Sequence, residues 1–372
     1  MYKTFSQKNQ TAYSVRIVCG LLFVLFCGIF LYFQSPLLEA LQHVLSEGKT
    51  SYSPIWGTVI ITLILCILQV LVSYLTRFVE YVHALSYFPS ILILAFITDK
   101  DRSIYQLEHS SHWGWICIAC LLIYGLLIWI NRKWLPLLIT KINFPNLASR
   151  LWPNVLIFIL FSIVTLSLSN ISSAFHYETR MESLIRQGNY RQASEVGKGS
   201  PATSRELTAL RAYTLSRTDT LGNCLFEYPQ LYGAEGLLLN AQKQTTSMKA
   251  EELYAYLGGR PQSGETALQY LSRICLTETG SHSALDYYLC ALLLEKKLDL
   301  FAKELHDLYD IDESLPKHYK EALILYRHRH GEYEMPFDAT QMEQDYQQFL
   351  NSSDNYQNTY WQYYFHTIRP QG

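Results

Sequence analysis

Gly259-Arg260-Pro261-Gln262-Ser263-Gly264-Glu265-Thr266 has the spacing of a phosphate-cradling loop, in which backbone N–H groups hold the phosphates and a lysine neutralises them. Glu265 stands where that lysine belongs. A carboxylate there repels phosphate, and no strand leads into the loop, so the run reads as a helix start and no nucleotide is expected. Serine–x–x–lysine, a spacing that brings a lysine to a serine nucleophile, occurs at Ser46–Lys49 and Ser314–Lys317, with Ser353-Asp354-Asn355 further on. The Lys-Thr-Gly strand that would complete such an acyl-transfer site is not in the sequence. Helix caps and a loop account for these runs.

Arg329-His330-Gly331 shares its residue types with the histidine phosphatase motif, which needs a strand end and a phosphate pocket. Here the triplet closes a helical run, where basic residues and a glycine offset the carbonyl end of the helix dipole. His109 and His112 lie one helical turn apart beside Glu108 and invite a metal, but no third ligand can be named. Solvated interfacial histidines are the expectation, with no metal or other cofactor. Five cysteines (Cys19, Cys27, Cys66, Cys117, Cys120) lie in apolar runs, where a thiol is a small apolar group. Cys224, Cys275 and Cys290 remain; a Cys275–Cys290 bridge and free buried thiols are both open, and no Cys-x-x-Cys is present.

What remains are aromatics and acids. Tyr213, Tyr270, Tyr360 and Trp361 are the candidate interaction residues, since tyrosine and tryptophan concentrate binding energy at interfaces. The C-terminal aromatics, among them Tyr346, Phe349 and Tyr363, fit either a docking surface or the packed closing helix of an array. Glu39 and Glu47 fall in a loop next to the first apolar run, where an enzyme acting on lipid-linked glycans would keep an acid.

The elements that must position these residues divide sharply. The whole-chain figures, 49% apolar and net charge −2, suggest an ordinary soluble protein and mislead. Residues 1–174 carry net +5 and residues 175–372 net −7. Crossing a bilayer takes about 20 apolar residues, and apolar runs of nearly that length lie near 15–34, 55–75, 113–130 and 151–171, the first free of charge over Ile17–Phe33 and the others throughout. A shorter one, Ala84–Thr98, is expected to begin earlier, near Phe78, giving a span near 78–98 with Glu80 and His83 at its interface. Tryptophans 56, 113, 115, 129, 134 and 152 flank the runs as an aromatic belt. Gln34-Ser35-Pro36 is a poor cleavage site, so the first run reads as an anchor and not a signal peptide. Gln69 and Ser73, the main polar residues of the second run, are expected to bond between helices.

Lys/Arg placement sets the orientation. Eight (Lys3, Lys8, Arg16, Arg77, Arg132, Lys133, Lys141, Arg150) flank the runs on the N-terminal side, against three (Lys49, Lys100, Arg102) opposite. The N-terminus is therefore expected in the cytoplasm and the tail in the periplasm. From Phe175 onward, apolar residues recur at helical spacing between short polar breaks, including Pro201–Leu215 with Ser200 as N-cap. The expected fold is all-α: about five transmembrane helices, then an extramembrane helical array resembling tetratricopeptide repeats or an α-solenoid. An acidic tail without a basic stripe argues against nucleic acid.

Within the tail, the run from Leu184 through Gly188 and Tyr190 to Ala193 resembles the turn of a tetratricopeptide repeat. There a glycine ends one helix, an aromatic opens the next and a small residue admits close packing. With the spans and the Leu315–Leu323 run, the chain resembles a family of uncharacterised multi-pass membrane proteins of Bacteroidota with a helical-repeat C-terminal region. That resemblance implies an inner-membrane location with a periplasmic tail, and brings no known activity. The functional expectation is a non-catalytic scaffold whose partners are the lipid bilayer and an envelope protein. The alternative is an envelope enzyme, or a subunit of one, acting on lipid-linked glycans.

Overall fold

The computed structural model describes residues 2–78, 80–106, 112–133, 147–242, 244–277, 279–309, 315–331, 333–352 and 358–366. Among them every regular element is a helix, seventeen α-helices and four 3-10 segments. The chain divides into two compact units at Ser172/Ser173.

In the first unit five stretches are long and apolar enough to cross a membrane. They lie in α1 (Tyr2–Phe33), α3 (Pro54–Thr76), a 3-10 segment Glu80–Tyr87 continued by α4 (Phe88–Thr98), α5 (His112–Lys133) and α6 (Leu147–Leu168). A short amphipathic helix, α2 (Ser35–Leu45), follows the first span. The third span is the unusual one. Its 3-10 turns rise about 2.0 Å per residue against about 1.5 Å in an α-helix, so its 19 residues reach at most about 32 Å, near the hydrocarbon thickness of about 30 Å.

That extension has a cost, because Val82 leaves helical geometry (φ −127°, ψ 23°) and backbone groups freed in lipid need partners. Asn154 of α6 supplies them. Its Oδ1 accepts the Ala84 N–H at 2.8 Å, and its Nδ2 donates to Glu80 O at 2.9 Å. Arg150 pairs with Glu80 at 2.7 Å beside it. Further along, Gln69 donates to Ser86 Oγ at 3.0 Å and Ser90 to Leu65 O at 2.9 Å, joining the second and third spans.

Side-chain bonds also fix which helix ends share a side. Gln34, after the first span, donates to Asn170 O, and Asn170 donates to Lys100 O after the third. At the other end, Arg132 closes the fourth span against Leu75 O of the second, near Glu80–Arg150. The spans therefore alternate, and the first, third and fifth finish together.

The second unit is built from consecutive helices. They are α7 (Ser173–Arg186), α8 (Tyr190–Ser194), α9 (Arg205–Ser216), α10 (Leu221–Cys224), α11 (Ala250–Leu257), α12 (Ala267–Leu276), α13 (His282–Leu294), α14 (Leu298–Leu308), α15 (Lys317–His330), α16 (Thr340–Asn351) and α17 (Tyr360–His366). Local chemistry sets their ends. Gly188 takes the left-handed region (φ 73°) and the N–H groups of Gly188 and Asn189 close on Ile185 O and Leu184 O, ending α7. Thr266 and Gln269 form a reciprocal capping box that starts α12.

One start differs from expectation. α9 begins at Arg205, not Pro201, because the extended Ser204 (φ −148°) accepts the Leu207 N–H at 3.0 Å and its hydroxyl is anchored by Glu178. Ser204, not Ser200, is the cap. The middle of the unit is α13, buried from Tyr287 to Leu294 without a break, as a helix apolar on every face must be. It packs against α12, α14 and the 3-10 segment Gly233–Leu237.

Candidate interaction site

The four candidate interaction residues all enter the core of the second unit: Tyr270 and Tyr360 at 0% exposure, Trp361 at 1%, Tyr213 at 9%. Tyr270 donates to Gly259 O at 2.6 Å, closing the loop before α12. Tyr360 and Trp361 hold α17 on α15: Glu321 Oε2 accepts the Tyr360 N–H and Glu321 O accepts Trp361 Nε1, each at 2.7 Å. Tyr363 donates to Leu294 O at 2.7 Å, while Tyr346 and Phe349 are buried against Trp361. Of these C-terminal rings Phe365 stays exposed. Tyr270, Tyr360 and Trp361 thus offer no ring to a partner, because their polar atoms and faces are already used in packing.

Tyr213 is different, since it forms the floor of a surface cluster. Tyr190 opens α8 immediately after the Gly188 turn, and buried Ala193 lets α9 come close. Tyr213 and Arg217 stand one turn apart at the end of α9, and Tyr256 arrives from α11. The Arg217 guanidinium lies 4.5 Å from the Tyr190 ring centre, 5.3 Å from Tyr256 and 6.0 Å from Tyr213. The rings meet edge to face, Tyr213 with Tyr256 at 5.2 Å and Tyr190 with Tyr213 at 6.0 Å. Tyr256 is fixed by hydroxyl contacts to Ser216 at 3.0 Å and Ser283 at 2.7 Å. Burial, and then the neighbouring Tyr190, push the Tyr213 phenol up to about 12.

Arg217 is exposed, and no carboxylate among the described residues pairs with it. Three tyrosine rings lie within cation–π range of its charge. Such a group takes a carboxylate or phosphate bidentately. A second surface feature, a cleft of about 600 Å³, lies between α14 and α15, with Asp299 and Lys303 on one wall and Tyr326 and Tyr333 on the other. His330 bonds Asp299 at 2.7 Å at its edge.

The remaining motifs have structural duties. Glu265 grips Arg273 through two bonds of 2.6 and 2.9 Å and accepts the Gln262 N–H. Arg273 accordingly holds its carboxyl below the usual range. Ser46 Oγ accepts the Thr50 N–H and Lys49 pairs with Glu47 in solvent, while Glu39 lies within α2. Arg329 meets Tyr364 at the end of α15. All eight cysteines are free; burial pushes the Cys275 thiol up to about 12 and the Cys290 thiol higher still. Glu108, His109, Ser314, the Ser353–Asn355 run and Tyr356 lie outside the described residues.

Two stretches, residues 106–274 and 261–367, match one family, described as a family of unknown function (DUF6057). The chain belongs to it. The matched stretches take in the last two spans of this chain as well as its tail, and the Arg217 cluster falls inside the match. No curated protein and no solved structure matches the chain.

Proposed function

We propose that this DUF6057 chain is a membrane-anchored helical scaffold that binds an envelope protein and carries out no reaction itself. The observation that carries this reading is the Arg217 cluster, an exposed guanidinium without an acidic partner among the described residues, set on Tyr190, Tyr213 and Tyr256. Arginine and tyrosine are the residues in which interface energy concentrates, and here they already stand together in the free protein. The partner supplies the missing carboxylate. The glycine turn at Gly188, the aromatic start at Tyr190 and buried Ala193 support reading the array as diverged tetratricopeptide-like pairs. Grooves between such pairs suit partner helices and peptides.

In this reading the chain sits in the inner membrane of a member of the Bacteroidota, with the N-terminus in the cytoplasm and the tail in the periplasm. Support comes from the eight Lys/Arg on the N-terminal side against three opposite, and from five alternating spans. An alkaline phosphatase domain fused after Gly372 is expected to be active, and an inactive, stably made fusion contradicts the orientation. For the scaffold itself, Arg217→Ala is expected to abolish capture of the partner while leaving the chain folded. Undiminished capture by that variant contradicts the proposal.

A further inference from the structure

We propose that the membrane unit holds one acyl chain of a phospholipid in a groove beneath α2. Gln34 and Pro36 break the chain away from the first span, and α2 runs across the starts and ends of other spans instead of crossing itself. Beneath it lies a cavity of about 480 Å³. Leu41 and Leu45 come from α2, Ile61 and Ile64 from the first turns of α3, and Ile93 and Ile97 from the last turns of α4. This is the end of the bundle at which Asn170 closes on Thr98.

The roof is built, not draped. Gln42 Nε2 donates to Thr50 Oγ1 at 2.9 Å and Ser46 Oγ accepts the Thr50 N–H at 3.3 Å, which tie the connection from α2 to α3. The Tyr52 ring then lies directly on Gly57, where a Cβ would come within 2.3–2.5 Å of it. Only a glycine admits that approach.

Size and lining match a ligand site, apolar with a few polar groups at one place. Those groups, Gln42, Ser46 and Tyr52, all come from the roof. The groove opens where Ile64 (57% exposed) and Ile93 (44%) face outward from spans, so the medium at its mouth is hydrocarbon. A chain enters from the bilayer and leaves its headgroup beside the roof hydroxyls and the Gln42 amide. The groove lies before residue 106, outside the family match, so this binding stands apart from the scaffold reading.

The test uses the full chain in phosphatidylethanolamine vesicles containing a phosphatidylethanolamine with a diazirine on one acyl chain. Adducts are mapped by mass spectrometry after illumination. Groove residues Leu41, Ile61 and Ile93 are expected to label roughly tenfold above Leu122, a bilayer-facing residue of α5 that is 71% exposed. Filling the groove with Ile61→Trp is expected to remove the groove adducts and leave Leu122 labelling unchanged. Equal labelling at the groove and Leu122 in the unaltered protein overturns the proposal whether or not the variant folds. Groove adducts that survive in a folded Ile61→Trp protein also overturn it.

Discussion

Glu321 accepts the backbone N–H of Tyr360 at 2.7 Å, which makes one buried acid the clasp of the closing helix. The same carboxylate meets His318 Nδ1 at 2.8 Å, and its own carbonyl takes Trp361 Nε1. Removing it strands a buried N–H and a buried imidazole together. Glu321→Ala is expected to cost about 3 kcal/mol, and Glu321→Gln, which still accepts from Tyr360, about 1 kcal/mol. Thermal unfolding of the solubilised chain reads both; equal melting of Glu321→Ala and the parent contradicts the clasp.

Asn154 serves the membrane unit in the same way. It satisfies Ala84 N–H and Glu80 O where the third span departs from helical geometry. Asn154→Leu keeps the size and removes both bonds, so it is expected to lower stability in detergent by about 2 kcal/mol. Leu85→Ala, in the same segment but without such bonds, gives the comparison for simple loss of packing.

Asp286 gives a pH signature. Burial pushes its carboxyl up, and the Tyr319 hydroxyl, donating at 2.9 Å, offsets part of this. Because the folded state binds this proton more tightly than the unfolded one, ionisation at neutral pH works against folding. The penalty is relieved as pH falls through the raised folded value and is gone below the unfolded value. Asp286→Asn, which still accepts from Tyr319, is expected to melt higher at pH 7. That advantage is expected to shrink steadily toward pH 4. A pH-independent difference contradicts the assignment.

The spans were legible because hydropathy over about 20 residues has few causes other than a bilayer. The 3-10 form of the third was not. Its sign in the sequence was indirect: Asn154, a polar residue following Pro153 inside another apolar run. The run ending in Glu265-Thr266 read as a helix start, and Thr266 does cap α12. Ser200 was the expected cap of α9, and Glu178, from α7, anchors Ser204 in that place instead. Tyr213 was visible as a candidate, but Arg217 reads in a sequence as a solvated helix end. Tyr190, Tyr213 and Tyr256 are far apart along the chain, and only the fold gathers them on one charge. Tyr270, Tyr360 and Trp361 looked equally suited to binding, because sequence does not separate a ring buried by packing from one offered to a partner.

We propose that the Arg217 cluster docks a protein, and such docking can be trapped in cells. A photo-crosslinking residue placed at Arg191, an exposed position beside Tyr190, in the full chain in cells, tests it directly when adducts are identified by mass spectrometry. The expected result is one recurrent protein adduct that falls roughly tenfold when Arg217→Ala is added, with the melting temperature unchanged. No protein adduct, or one indifferent to Arg217→Ala, contradicts the claim.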